Sequence, residues 1–333
     1  MAHTDPPLVA VVTPVYNGAR HIAQCIESVL AQTWANWQYD ILDNRSDDGT
    51  LAVLERYAAR DSRIRVHANA TFVPALRNHN LALRLASPDS RYIKVVFADD
   101  WLYPECLQRM VELAERNPAV GLVGSYGLRG NKVAWDGLPY DQEVVPGRDL
   151  SRNRLRGGAY VFGSATSLLM RADLVRSREY FYNESNVHCD TEVCFDLLRH
   201  CDFGFVHQVL TFTREEEGSL TSRSRRLNTY LSGFLYDLRK FGPELLQPAE
   251  LAAATDSQLR RYYDFLARGA LRRQDAEFWP YHLRQLREAG YPLSRVRLAG
   301  AVLGRVLDAA LNPKRTVENL LRSGAAAKRP KDE

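Results

Sequence analysis

Leu8–Val15 is an unbroken apolar run, the pattern of a strand buried on both faces of a parallel sheet. Asn17-Gly18 turns the chain, and apolar positions then recur at helical spacing from about Arg20 to Gln32. The alternation continues. A strand is expected over Trp37–Leu42, a helix from Thr50 to Arg60, a short strand at Ile64–His67, and a helix from Pro74 to about Ala86. The β-branched and aromatic run Tyr92–Ala98 then reads as a strand, Pro104–Asn117 as a helix and Val120–Ser125 as a strand. Strands alternating with helices predict an α/β fold, a mainly parallel sheet flanked by helices, whose functional loops follow the strands.

From Gly127 to Arg156 the periodicity is lost, and a long loop or excursion is expected. Regularity returns with a strand and turn over Ala159–Met170, a helix over Thr191–Arg199 and a strand over Phe203–Leu210. Beyond Thr221 the pattern is helical. The reading divides the chain into residues 1–235 and a helical C-terminal extension, 236–333. The first domain itself falls into two halves, residues 8–125 and 126–235.

Composition adds little beyond an ordinary globular protein: 45% hydrophobic, 25% charged, formal net charge +4. That charge is too small to argue for nucleic acid. The five cysteines, at 25, 106, 189, 194 and 201, fit no paired zinc spacing, and an odd number is no disulfide framework. No apolar run has the length of a membrane span, and Met1–Pro7 lacks the apolar core of a signal peptide. A cytoplasmic protein with reduced thiols is therefore expected.

The chemistry gathers at strand ends. Pro14-Val15-Tyr16-Asn17, Asp43-Asn44-Arg45-Ser46 and Asp99-Asp100 each follow a strand, where ligands of open α/β sheets bind. Two carboxylates ending a buried strand are costly unless a cation meets them, which suits a hard divalent metal and a phosphate-bearing ligand. The rival reading is that Asp99 or Asp100 caps the helix entered at Pro104.

These loops and their order resemble the family 2 glycosyltransferases, inverting enzymes of the GT-A fold. The resemblance rests on Val9-Ala-Val-Val-Thr-Pro-Val-Tyr-Asn-Gly18, Glu27-Ser-Val-Leu-Ala-Gln-Thr33, Leu42-Asp-Asn-Arg-Ser-Asp-Asp-Gly-Thr50 and Arg77-Asn78, and covers about residues 8–220. It implies a nucleotide-diphosphate sugar donor, with a Rossmann-like nucleotide-binding half. Pro14 and Val15 would form the base-binding turn, Tyr16 would pack on the base, and Asp43 and Asn44 would hydrogen-bond base and ribose. Asp99 would hold ribose and Asp100 a Mn²⁺ or Mg²⁺. Arg77 would place a positive charge near the phosphates. Asn44 stands where many members carry a second Asp, and Phe97 replaces the first Asp of their acidic motif. Asp-Asn before Asp47-Asp48-Gly49 is also plain turn chemistry.

Inverting transfer needs a base for the acceptor hydroxyl. The resemblance places it at Asp190, with Cys189 where relatives carry Glu. Asp190 as a helix N-cap, and Glu192 or His188 as the base, are the rival readings. Gly163-Ser164 matches the family's acceptor-side turn, and Arg214 its mobile-loop Arg. Glu216, within the acidic stretch 215–217, stands where relatives often carry His.

Ala299, Val302, Leu303, Val306, Leu307, Ala310 and Leu311 fall on one face of a helix. From Arg295 to Lys331 nine Lys or Arg face only Asp308 and Glu318. The segment 295–324 could be an interfacial helix on anionic lipid, a helix packed on the catalytic domain, or a dimer helix. The expected partners are thus a sugar donor and a glycan or lipid-linked acceptor of a surface polysaccharide, with no nucleic acid. Two other classes stay open: a non-catalytic nucleotide- or glycan-binding relative, and a sugar nucleotidyltransferase. The latter calls for a Gly-rich phosphate loop that Pro14–Gly18 does not supply.

Overall fold

The computed structural model describes residues 5–215, 220–272, 274 and 276–312. The chain falls into two compact units, Met1–Ser222 with Glu244–Leu246, and Arg223–Pro243 with Gln247–Glu333. The expected division at 235/236 lies inside a helix, Tyr230–Leu245.

The first unit is built on one sheet. Its strands are β1 (Val9–Val15), β2 (Trp37–Asp43), β3 (Ile64–Ala68), β4 (Tyr92–Val95), β5 (Trp101–Leu102), β6 (Val120–Arg129), β7 (Lys132–Ala134), β8 (Val144–Val145), β9 (Leu169–Arg171) and β10 (Asp202–Thr213). They line up as β3-β2-β1-β4-β9-β6-β10-β5, with β7 on β6 and β8 on β10. The first four are parallel, while β9 runs antiparallel between β4 and β6. All seven residues of β1 are buried, as a strand covered on both faces requires.

Helices α1 (Ile22–Leu30), α2 (Thr50–Ala58), α3 (Ala75–Leu83) and α4 (Cys106–Arg116) connect these strands. Ile22, Ile26, Leu107, Met110 and Val111 from α1 and α4 share one core with Val9, Val11 and Tyr39. The stretch expected to be irregular is more ordered than its composition suggests. Strand β6 continues to Arg129, β7 and β8 add edges, and α5 spans Gly147–Leu155. Short strands and a polar helix lack the periodicity that reveals longer elements. Helices α6 (Ala172–Arg176) and α7 (Cys189–Leu197) complete this unit. All five cysteines are free and buried.

The second unit is helical: α8 (Leu220–Leu227), α9 (Tyr230–Leu245), α10 (Pro248–Ala270), α11 (Phe278–Glu288) and α12 (Arg295–Leu311). Leu235, Leu259, Tyr262, Tyr263, Leu266, Phe278 and Leu286 form its core, and Leu298 and Ala301 of α12 pack against it. The apolar face read from the sequence of α12 is, apart from half-buried Val302, exposed to solvent. The helix rests instead on Leu298, Ala301 and Arg305. No helix among the described residues is long and apolar enough to cross a membrane.

Candidate active site at the carboxyl edge of the sheet

Register brings the three polar loops level. Val15 of β1 pairs with Asp43 of β2, and Val12 pairs with Val95 of β4, so Tyr16, Asn44 and the Phe97–Asp100 loop leave the sheet at one edge. Strand β4 stops early because its next groups are taken elsewhere. Val96 N–H still donates to Val12 O, but the Thr13 hydroxyl takes the Val96 carbonyl at 2.6 Å, and Phe97 N–H donates to Thr166 Oγ1 at 3.1 Å.

The first two loops lock together. Asn17 N–H donates to Ser46 Oγ, Asp47 N–H to Asn17 Oδ1, Gly18 N–H to Thr50 Oγ1 and Ala19 N–H to Asp48 Oδ2. Asn17 sits in the left-handed region (φ 50°), which Asn tolerates. The side chains of Ser46, Asp48 and Thr50 therefore hold the turn that carries Tyr16. Tyr16 is exposed and meets Phe72 edge to face at 4.9 Å. Phe72, itself 60% exposed, carries no signal in the sequence that links it to Tyr16.

Asp43 is buried. Its Oδ2 accepts from Ser46 N–H, and its Oδ1 is buried without a hydrogen-bond partner. The Asn44 side chain bonds within the protein. Its amide Nδ2 donates to Val73 O, while its Oδ1 accepts from Val73 N–H and Asn69 Nδ2, which also donates to Asn78 Oδ1. Asn44, Asn69 and Asn78 thus fasten the 69–74 loop, because an amide can donate and accept at once where Asp could only accept. Arg77 lies exposed on α3, with no ion pair among the described residues.

The acidic pair is gripped from both halves of the unit. Asp100 Oδ2 accepts from the Thr166 hydroxyl at 2.6 Å, and its Oδ1 accepts from Arg214 N–H at 3.1 Å. Arg214 Nε donates to Asp99 O, one of its terminal nitrogens donates to Gln24 Oε1, and its guanidinium lies over the Trp101 ring at 5.3 Å. Burial, and then the charge of Asp99, push the Asp100 carboxyl up to about 8. The capping alternative fails. Helix α4 begins at Cys106 with Glu105 at its N-cap, after the short strand Trp101–Leu102.

Asp190 lies in the first turn of α7, whose N-cap is His188, so it is not the cap residue. Its Oδ1 accepts from its neighbour's amide, Thr191 N–H, at 2.7 Å. Burial raises its carboxyl and the charge of His188 opposes the rise. Glu192 is only 4% exposed and accepts from the side-chain amides of Asn183 and Asn186, which orders the loop before α7.

The turn at 160–167 bridges the two acids. Tyr160 OH contacts Thr191 Oγ1 beside Asp190 and donates to Gly163 O, and three residues on Thr166 reaches Asp100. Gly163 adopts φ 74°, and a Cβ there would meet Ser167 Cβ at 2.6 Å. Thr166 and Phe72 are the residues that sequence reasoning missed. Glu216 and the basic positions 314–331 lie outside the described residues.

Asp99 and Asp100 suit a cation that brings oxygen ligands of its own. Among the described residues no group of three or more His, Cys, Asp or Glu could hold a metal by itself. A hard ion with one or two protein carboxylates completes its shell with phosphate and water oxygens. A bound cation would also favour the ionised form of Asp100, which burial now opposes.

The chain is similar to WfgD of Escherichia coli, a UDP-Glc:α-D-GlcNAc-diphosphoundecaprenol β-1,3-glucosyltransferase, at 32% identity over 127 residues. That match covers 38% of this chain and 49% of WfgD, and the chain's matches span about half the length of its curated relatives. Among solved structures it resembles Staphylococcus aureus TarS 1–349 in complex with UDP-GlcNAc (TM-score 0.62, 18% identity, covering 95% of this chain and 92% of that one). A mannosyltransferase of Pyrobaculum calidifontis, PcManGT, in complex with GDP-Man and Mn²⁺ aligns at TM-score 0.56 and 16% identity, over 94% of this chain and 83% of that one. The sheet and its helices are thus those of the GT-A fold. The model of the family described as glycosyl transferase family 2 matches residues 10–178, about half of the chain, and the chain belongs to that family.

Proposed function

We propose that this chain transfers a glycosyl group, with inversion, from a nucleotide-diphosphate sugar to a hydroxyl of a growing surface polysaccharide. The observation that carries the reading is one turn, residues 160–167, that bonds the buried carboxyl of Asp100 directly and reaches the half-buried Asp190 through Thr191, at the edge where the Tyr16 and Asp43 loops emerge. The names of WfgD and TarS supply the donor class, a UDP-sugar, and that of WfgD a lipid-diphosphate-linked acceptor.

In this reading the exposed ring of Tyr16 packs on the base, with Phe72 as the second wall, and Pro14 and Val15 shape the turn beneath. Asp43 Oδ1, the oxygen without a donor, accepts an N–H of the base. Asn44 positions the loop that carries Phe72. Asp99 faces the ribose and Arg77 the phosphates. Asp100 and Asp99 would hold Mn²⁺ or Mg²⁺, which when bound supplies positive charge against the departing diphosphate. Asp190 takes the proton of the acceptor hydroxyl as its oxygen attacks the anomeric carbon from the face opposite the leaving group. The bond from that carbon to the diphosphate oxygen breaks, the nucleoside diphosphate departs with the electron pair, and the anomeric configuration inverts. Glu192, committed to Asn183 and Asn186, keeps the base loop in place.

The test is a binding and hydrolysis screen over nucleotide sugars, with and without Mn²⁺. Asp100→Ala is expected to abolish metal-dependent donor binding. Asp190→Ala is expected to keep binding and lose transfer. Normal transfer by Asp190→Ala refutes the base assignment. Donor binding without turnover by the wild type, with every acceptor tried, points to a non-catalytic relative.

A further inference from the structure

Five of the sixteen large hydrophobic side chains exposed among the described residues sit on the single helix α12: Val296, Leu303, Val306, Leu307 and Leu311. They are not scattered. At about 100° per residue, Val296, Leu303, Leu307 and Leu311 share one stripe, with Val306 at its margin. The opposite side anchors the helix. Leu298 and Ala301 pack on the core of the second unit, and Arg305 forks onto both carboxylate oxygens of Asp264 at 2.7 Å. A surface helix ordinarily buries its apolar stripe and presents its polar one. Here a second apolar stripe faces solvent as well, and no residue of α12 is fully buried. An outward apolar stripe of this kind marks an interaction surface.

The charge around the stripe selects the occupant. Arg295 and Arg297 flank its start and are exposed. From Arg295 to Lys331 the sequence carries nine Lys or Arg against two acids, whereas the rest of the chain is net acidic. A second copy docking through the same stripe would press this cationic segment against itself. An anionic bilayer surface offers hydrocarbon for the stripe and phosphate charge for the flanks.

We propose that α12 docks this chain on anionic membrane without crossing it. Val296, Leu303, Leu307 and Leu311 enter the boundary between headgroups and acyl chains, and the exposed Arg295 and Arg297 face the headgroups. Docking would hold the enzyme where a lipid-linked acceptor resides, but it rests on the geometry of α12 and not on the activity proposed above.

The experiment is co-sedimentation of the full chain with vesicles, without donor or acceptor. One set is phosphatidylcholine alone and the other contains phosphatidylglycerol as well, at low and high salt. The wild type is expected on the anionic vesicles only, and less at high salt. Leu303→Glu with Leu307→Glu should lower partition roughly a hundredfold, since two leucine side chains lose their burial. Arg295→Glu with Arg297→Glu should lower it roughly tenfold or more. Both double variants change exposed residues, so their circular dichroism and urea midpoints should match the wild type. Equal partition of the wild type and the leucine variant overturns the proposal, as does equal binding to neutral vesicles. So does a wild type that ignores vesicles but sediments as a dimer that the leucine variant dissociates. A chain that binds donor but no vesicle removes only the docking. One that binds vesicles but no donor removes only the transferase reading.

Discussion

Replacing Thr166 by Val isolates what the 160–167 turn does for the acidic pair. The two side chains have nearly the same shape, but the Thr166 hydroxyl has two tasks: it donates to Asp100 Oδ2 at 2.6 Å and accepts from Phe97 N–H at 3.1 Å. Thr166 is fully buried, so water cannot replace it freely. With the Asp100 carboxyl pushed up to about 8 and so mainly neutral near pH 7, its hydrogen bond contributes about 0.5–1.5 kcal/mol, and stranding a buried N–H costs about 1–3 kcal/mol. Thr166→Val should therefore lose roughly 1.5–4.5 kcal/mol from the first unit, read as a lower urea midpoint in equilibrium unfolding. Metal-dependent donor affinity should fall roughly tenfold or more, because Asp100 then lacks the bond that fixes its orientation. Thr166→Ser keeps both bonds and should behave nearly as wild type in both assays. A valine variant with wild-type midpoint and wild-type donor affinity refutes the argument that this hydroxyl supports the site.

Three further outcomes follow from the same geometry. Phe72→Ala should raise the donor Kd by roughly two- to tenfold in calorimetry, the range of an aromatic pair, and leave the urea midpoint unchanged because Phe72 is exposed. Gly163→Ala forces a side chain into φ 74° against Ser167, and should cut turnover at least roughly tenfold while circular dichroism stays native. The pH dependence of the second unit should come from His282, which is buried among Tyr262, Phe265, Phe278 and Tyr281 and whose ring burial lowers to about 4. The unfolded chain binds that proton near 6.5 and the folded chain only near 4. Stability is then intact above 6.5 and declines at up to about 1.4 kcal/mol per pH unit between 6.5 and 4. Urea midpoints at several pH values across that window should show the decline, and a midpoint independent of pH contradicts it.

The regular elements of the nucleotide-binding half were legible because each is written locally. The apolar run of β1, the spacing in α1 and the turn residues of Asp43–Thr50 need only their own neighbours to be read. The order of these elements also put the three polar loops at one edge, since parallel strands joined by helices all end on the same side. The segment 127–156 was illegible because β7 and β8 are too short to show a period, and α5 presents little apolar surface.

What holds the site together was not written locally. Thr166 and Arg214 reach Asp100 from 66 and 114 residues away, and no spacing in the chain encodes such pairs. The antiparallel insertion of β9 between β4 and β6 brings the Thr166 turn beside the end of β4. Asp190 and Glu192 are equivalent carboxylates in the sequence. Folding separates them by giving Glu192 two amide partners and leaving Asp190 beside Tyr160 and Thr191. The same holds for α12. Its amphipathic pattern was plain, but periodicity only says that one face is apolar, and the packing of Leu298, Ala301 and Arg305 decided that this face points outward. The sequence by itself determined which elements form and which chemistry ends each strand. The tertiary structure decided which of those groups are paired, buried or left open, because burial and pairing depend on neighbours that only the sheet and the helix packing supply.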